Sequence, residues 1–297
     1  MKVTRGYRSK DVEDARGSAP PRGGGSTALK VGGGGALLVI IALVAQAFGV
    51  NLPIGGGGGS SSGGGGPQPP SGEPAKPLPP GAPDPEAAAV DLVNQVTDDV
   101  QAVFAEVFAR EGHQYRRAKL RLFREAVDTG CGRSSSQVGP FYCPPDDKAY
   151  IDLSFYDDLK ARFGAPGDFA QAYVIAHEFG HHAQNVLGID DQVRQESARN
   201  KKLENELSVR QELQADCYAG IWAKHGAARL GIDATDIEEA MNAAAAIGDD
   251  RLQKMSGRKV DPRSFTHGSS AQRARWFKIG QQQGTLASCD TFAARDL

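Results

Sequence analysis

Residues 177–181 read His-Glu-Phe-Gly-His, and this run restricts the fold more than any other part of the chain. On an α-helix, positions i and i+4 stand one turn apart and about 40° apart around the axis. Both imidazoles can then meet one metal at the ~2.0–2.1 Å of a zinc–nitrogen bond. Glu178 projects about 100° further round the helix, off the ligand pair but able to reach a water on the metal. The motif therefore demands a helix, and a third ligand that the fold must supply, because catalytic zinc takes three protein ligands and a water.

That third ligand is not on the same helix. In the spacing HExxHxxGxxH the glycine and last histidine would fall at positions 184 and 187, which are Gln184 and Leu187. His182 points about 100° away from His181 and reads as a residue that packs or supports the ligands, not as a ligand itself. Among the downstream glutamates only Glu212 has an aspartate four residues on, Asp216. That pair shares a helical face, so one carboxylate can bind zinc while the other accepts the spare N–H of a ligand histidine. The apolar residues that follow (Tyr218, Ala219, Ile221, Trp222) suggest a buried helix, and buried carboxylates need partners. His225 is half a turn out of phase with Asp216 and is set aside. The expected metal set is His177, His181 and Glu212, with one Zn²⁺ per chain.

The rest of the 297 residues divides by composition. Residues 1–30 carry seven Lys/Arg against three acids and read as a disordered tail. Val31–Val50 has no charge over 20 residues, ~30 Å as a helix and enough to cross a bilayer. The preceding basic residues place the N-terminus in the cytoplasm, so residues 31–50 read as a transmembrane helix. Ala45-Gln46-Ala47 leaves a cleaved signal as the alternative. Residues 51–85, with 11 Gly, 10 Pro and 4 Ser, form a linker. Residues 86–297 then form the folded domain, on the external side of a single-pass membrane protein. The net charge of −2 gives no reason to expect nucleic acid.

Within that domain the 3–4 spacing of Val90, Val93, Val96, Val100, Val103, Phe104, Val107 and Phe108 predicts a helix over Ala87–Arg110, with Asp84 as its cap. A second amphipathic stretch covers about Arg117–Asp128. Tyr150–Phe155 alternates as a strand, either core or an edge that pairs with substrate. Further helices are expected over Asp190–Lys224, Asp233–Leu252 and Ser269–Gly284. The fold class is mainly α with a small β-sheet (α+β). Cys131, Cys143, Cys217 and Cys289 lack CxxC spacing and, in an exported domain, suggest two disulfides with three connectivities open. A local Cys131–Cys143 bridge would order a Gly/Ser/Pro loop, and a Cys217–Cys289 bridge would pin the C-terminus to the helix of Glu212. Asp249-Asp250-Arg251 has no assignment beyond a solvated charge cluster.

HEFGHH together with ELQAD resembles the gluzincin peptidases. Gly139-Pro140-Phe141-Tyr142-Cys143-Pro144, YIDLSFYDDL, AYVIAHEFGHHAQN, ELQADCYAGIW, AIGDDRLQK and SFTHGSSAQRARWF together resemble the putative neutral zinc metallopeptidase family of bacteria, over about Glu86–Cys289. The resemblance implies a zincin-like domain, a peptide or protein substrate, and Asp216 orienting His177. Thr266-His267-Gly268, with Arg273 six residues after the histidine, is similar to the THP…R segment of membrane prenyl-protein (CAAX) endopeptidases, with Gly in place of Pro. On that likeness His267 and Arg273 are candidate oxyanion donors.

The expected activity is a membrane-anchored endopeptidase in which Glu178 is the general base. The alternatives are a tethered zinc-binding scaffold without turnover, which has no use for Glu178, and a cytosolic globular protein.

Overall fold

A computed structural model describes residues 1–18, 83–161, 164–165 and 167–297. Helix α1 (Ala87–Arg110) buries its valine and phenylalanine stripe, with Val93, Val96, Val100, Val103, Phe104 and Phe108 fully enclosed. It starts after Glu86 rather than at Pro85. Asp84 accepts the Glu86 N–H at 2.9 Å, so it closes a turn just ahead of the helix.

The amphipathic stretch that follows is extended. Strand β2 (Lys119–Phe123) places Leu120 and Leu122 in the core, an alternation of period two. Strands β3 (Ala126–Thr129) and β4 (Gly132–Ser135) form an antiparallel hairpin. Strands β5 (Phe141–Cys143) and β6 (Lys148–Asp152) complete a four-stranded sheet together with β1 (Val12–Asp14), in the order β1-β2-β6-β5. β6 is parallel to β2 and antiparallel to β5. The strand expected from Tyr150 is thus internal, and the edge beside the helices is β5.

Helix α2 (Ser154–Ala161) leads to α3 (Asp168–Val186), which carries the HExxH motif. The single helix expected from Asp190 is two, α4 (Ile189–Arg199) and α5 (Glu204–Leu230), separated by a 3-10 turn over Lys201–Leu203. The helix expected over Asp233–Leu252 likewise breaks into α6 (Ala234–Ala246) and α7 (Asp249–Met255). Helix α8 (Ser270–Gln283) starts at Ser269, which forms a capping box with Gln272. The molecule is therefore mostly helical with small sheets. Helices α5 and α8 cross closely because Gly280 of α8 packs against α5: a Cβ there would stand 1.9 Å from the Cys217 carbonyl oxygen. The disulfides join Cys131 to Cys143 and Cys217 to Cys289.

The N-terminal residues correct the expectation of a disordered, cytoplasmic tail. β1 pairs in parallel with β2, with Val12 opposite Leu120 and Asp14 opposite Leu122. The Gly6 N–H donates to Asp91 at 2.8 Å and the Ser9 N–H to Asn94 at 2.8 Å. Arg16 bridges Asp84 and Glu86, each at 2.7 Å. Residues 1–18 therefore belong to the same folded body as α1 and β2, which a chain crossing a membrane once between them would forbid. The run Val31–Val50 lies outside the described residues, and among those described no helix is long and apolar enough to cross a membrane. The transmembrane helix, the membrane as partner and the single-pass localisation are corrected on these grounds. The linker 51–85 also falls outside the described residues, apart from its last three.

Candidate metal centre

Helix α3 is enclosed on nearly all sides, from Phe169 through Gln184. Helix α5 lies against it at Gly180, where an added Cβ would stand 2.9 Å from the Ala215 oxygen and 3.1 Å from its Cα. That close approach brings Glu212 and Asp216 beside the two histidines. His177 Nε2 stands 3.3 Å from Glu212 Oε2, and His181 Nε2 stands 3.4 Å from Glu212 Oε1. The three ligand atoms all fall within 4.8 Å of one another.

Both imidazoles have their far nitrogens engaged. His177 Nδ1 lies 2.9 Å from Asp216 Oδ1, and His181 Nδ1 lies 2.9 Å from Gln184 Oε1. As N–H donors to those oxygens, both rings turn a bare Nε2 toward Glu212. Charge-assisted hydrogen bonds close to ~2.7–2.9 Å, shorter than the Nε2–Glu212 separations. A tetrahedron with ~2.05 Å arms has edges of ~3.3 Å, and the observed spacing fits that edge. The donor set fits zinc: two imidazoles and one carboxylate.

The electrostatics call for positive charge at this point. Burial presses both imidazoles toward the neutral form, but Asp216 at His177 and Glu212 at His181 outweigh it, so both are raised, His181 to about 10. Burial pushes the Glu212 carboxyl up, yet His181 and His177 hold it well below the usual range. A dication would satisfy these carboxylates in place of protons. Glu178, buried beside the ligands, is raised chiefly by that burial.

Asp216 is itself held. Arg273 Nε donates to Oδ2 at 2.8 Å and Nη2 to Oδ1 at 2.9 Å, a bidentate pair at a guanidinium only 1% exposed. The Tyr173 hydroxyl also donates to Asp216 Oδ1 and accepts from Arg273 Nη2 at 3.2 Å. Arg273 also lines the cavity of Glu178 and the ligands, but its Nε and Nη2 are committed to Asp216.

His267 lines the same cavity as Glu178 and the ligands. Its Nδ1 lies 3.2 Å from Asp249 Oδ1, which leaves Nε2 for the cavity. Asp249 Oδ2 accepts three backbone N–H groups, from Thr266 and His267 at 2.7 Å and from Gly268 at 3.1 Å. Burial raises the Asp249 carboxyl, but His267 and these N–H groups bring it below its ordinary value. His182 faces away, with Nδ1 2.8 Å from the Tyr142 hydroxyl. His225 bonds the Gly284 carbonyl at 2.8 Å on α5's far end.

Residues 1–292 match the family described as putative neutral zinc metallopeptidase. The chain belongs to that family. It is 51% identical over 209 residues, 70% of this chain and 72% of the relative, to the uncharacterized protein YpfJ of Escherichia coli. It is 46% identical over 197 residues, 62% of this chain and 65% of the relative, to the uncharacterized protein Rv2575 of Mycobacterium tuberculosis. No solved structure matches significantly.

Sequence reasoning missed three residues of this site. Gln184 and Tyr173 stand three residues after His181 and four before His177, on the same helical face as those ligands, so helical spacing could have flagged both. Asp249 had no such signal, because its tie to His267 spans 18 residues and depends on the break before α7.

Proposed function

We propose that this protein is a zinc-dependent endopeptidase with a zincin-like domain, holding one ion per chain on His177, His181 and Glu212. The observation that carries the reading is the meeting of three ligand atoms at tetrahedral spacing beside a buried glutamate that zinc binding alone does not need. Zinc, when bound, supplies a Lewis acid that acidifies water and polarises the scissile carbonyl.

The chain's own residues carry out the remaining steps. Glu178 takes the proton of the attacking water and returns it to the leaving amine, and its raised pKa suits an acid–base that must do both. With Nδ1–H given to Asp249 Oδ1, His267 donates from Nε2 to the developing oxyanion as the imidazolium, its ring fixed by Asp249. Asp216 fixes the tautomer of His177. Arg273 and Tyr173 hold Asp216 in place, so Arg273 is a positioning residue and not the oxyanion donor expected from its segment. Edge strand β5, whose Phe141 and Tyr142 line the cavity, is where an extended substrate backbone can add.

The test compares the full chain with Glu178→Gln, both loaded with zinc, on unfolded protein substrates. Equal metal content with cleavage lower by ~10²–10⁴ in the variant is expected. Background cleavage by both would sink the reading.

A further inference from the structure

The cavity in front of the ligands has a volume of about 130 Å³, far more than the ~10–15 Å³ that one ordered water needs. Part of its wall serves no step of the hydrolysis. Val138 and Pro140 from the loop before β5, Phe155 from α2, Val174 from α3, Ile247 from the α6–α7 junction and Leu252 from α7 all face it. None of these six side chains carries a polar atom. Water against such a wall is unfavourable, and an apolar group in its place is favoured in proportion to the apolar area it takes out of solvent.

The wall is built in advance. The Cys131–Cys143 disulfide closes the loop that carries Val138 and Pro140. Phe141 stacks on Tyr150 with ring centroids 5.0 Å apart. Gly139, at φ +80°, lies beside Phe155, where a Cβ would be in ordinary contact with the ring at 3.5 Å. An occupant therefore meets a surface whose ordering cost is already met.

The charged groups of the cavity narrow the choice of occupant. Glu178, Asp190 and Glu212 line it and oppose an acidic side chain. Asp190 is not an open counter-ion for a basic one, because its carboxylate already accepts from Gln211 at 2.6 Å. Arg273 is tied to Asp216.

We propose that this wall is the side-chain subsite of the peptidase and takes one bulky apolar residue of the substrate beside the scissile bond, with the disulfide-closed loop setting its size. The inference rests on the hydrolytic reading, and two measurements separate them. The zinc-loaded Glu178→Gln full chain captures peptides from a library randomised around a central bond, while the wild type is scored for cleavage of the same library. Enrichment of Leu, Ile, Met or Phe at one position, ~10–100-fold over Ala, is expected in both the captured and the cleaved sets. Leu252→Glu should lower capture of the Leu peptides at least tenfold with zinc content unchanged, and Leu252→Ala should shift the preference toward aromatic residues. Apolar enrichment in capture without wild-type cleavage would overturn the hydrolysis and leave the subsite standing. Capture or cleavage without apolar enrichment, or enriched in Lys and Arg, would overturn the subsite.

Discussion

At the scale of single residues, the two ligand histidines are held by unlike partners. His177 leans on a carboxylate that Arg273 and Tyr173 keep in place. His181 leans on the neutral amide of Gln184, whose Nε2 donates to the Gln211 carbonyl at 2.7 Å and to Gln214 Oε1 at 3.0 Å. Gln214 in turn donates to the Cys289 carbonyl at 3.1 Å. An amide chain thus runs from a ligand to the disulfide-bound C-terminal segment, and its first link is fully buried. Replacing Gln184 by Ala should weaken zinc binding ~10–100-fold, read by competition with a chromophoric chelator, and Gln184→Asn should not restore it because its amide is one carbon short. Unchanged zinc affinity in Gln184→Ala would show that the amide merely fills space. The ligand pair and the base were legible in His177–His181 because helical spacing is local. The role of Arg273 was not, since which side of Asp216 it occupies depends on where α8 is packed.

At the scale of elements, the contact between α3 and α5 makes the site. Gly180 sits where α5 passes closest, and the nearest atoms that a Cβ would meet are backbone, which cannot rotate aside. Helix propensity alone favours alanine over glycine by about 1 kcal/mol, whereas overpacking costs ~1–3 kcal/mol. We expect the packing to win, so that Gly180→Ala lowers the melting temperature and loosens zinc. A higher melting temperature with unchanged zinc affinity would contradict this account of the contact. The break between α6 and α7 has a similar standing. The alanine-rich run 233–252 reads as one helix, but ending it at Ala246 lets Asp249 start α7 and clamp residues 266–268. A periodic pattern does not reveal a break whose reason lies in a distant loop.

At the scale of the whole molecule, the first 18 residues are part of the fold. Asp11 is 3% exposed, and Arg117 and Lys119 donate to it at 2.6 and 2.8 Å. Burial pushes its carboxyl up, but those cations outweigh it and hold it below the ordinary 3.8. A depressed folded-state pKa contributes stability that is full above the unfolded value and lost as pH falls through the folded one. Asp14 and Asp84, both paired with Arg16, are lowered as well. On acidification below about pH 4 the N-terminal segment should therefore release before α1 opens. Hydrogen exchange of β1 against α1 across that range checks this, and simultaneous loss of protection in both would refute it.

The HExxH helix, the glutamate within it, the Glu212/Asp216 pair that meets it and the mainly helical class could all be read from the chain alone. Each of these is a matter of spacing along one helix, where geometry follows from residue number. Tertiary structure decided what depends on distant partners. It tied Arg273 to Asp216 and His267 to Asp249, made β5 the edge and joined residues 1–18 to the sheet. That last point reversed the reading of the N-terminus. Residues 1–18 look unable to fold because they are polar and basic, yet the acidic groups that partner them, Asp84, Glu86, Asp91 and Asp98, lie 68 to 91 positions away in the chain. Partners at that distance leave no trace in any local window of residues, and only the packing of α1 against β1 and β2 brings them into reach.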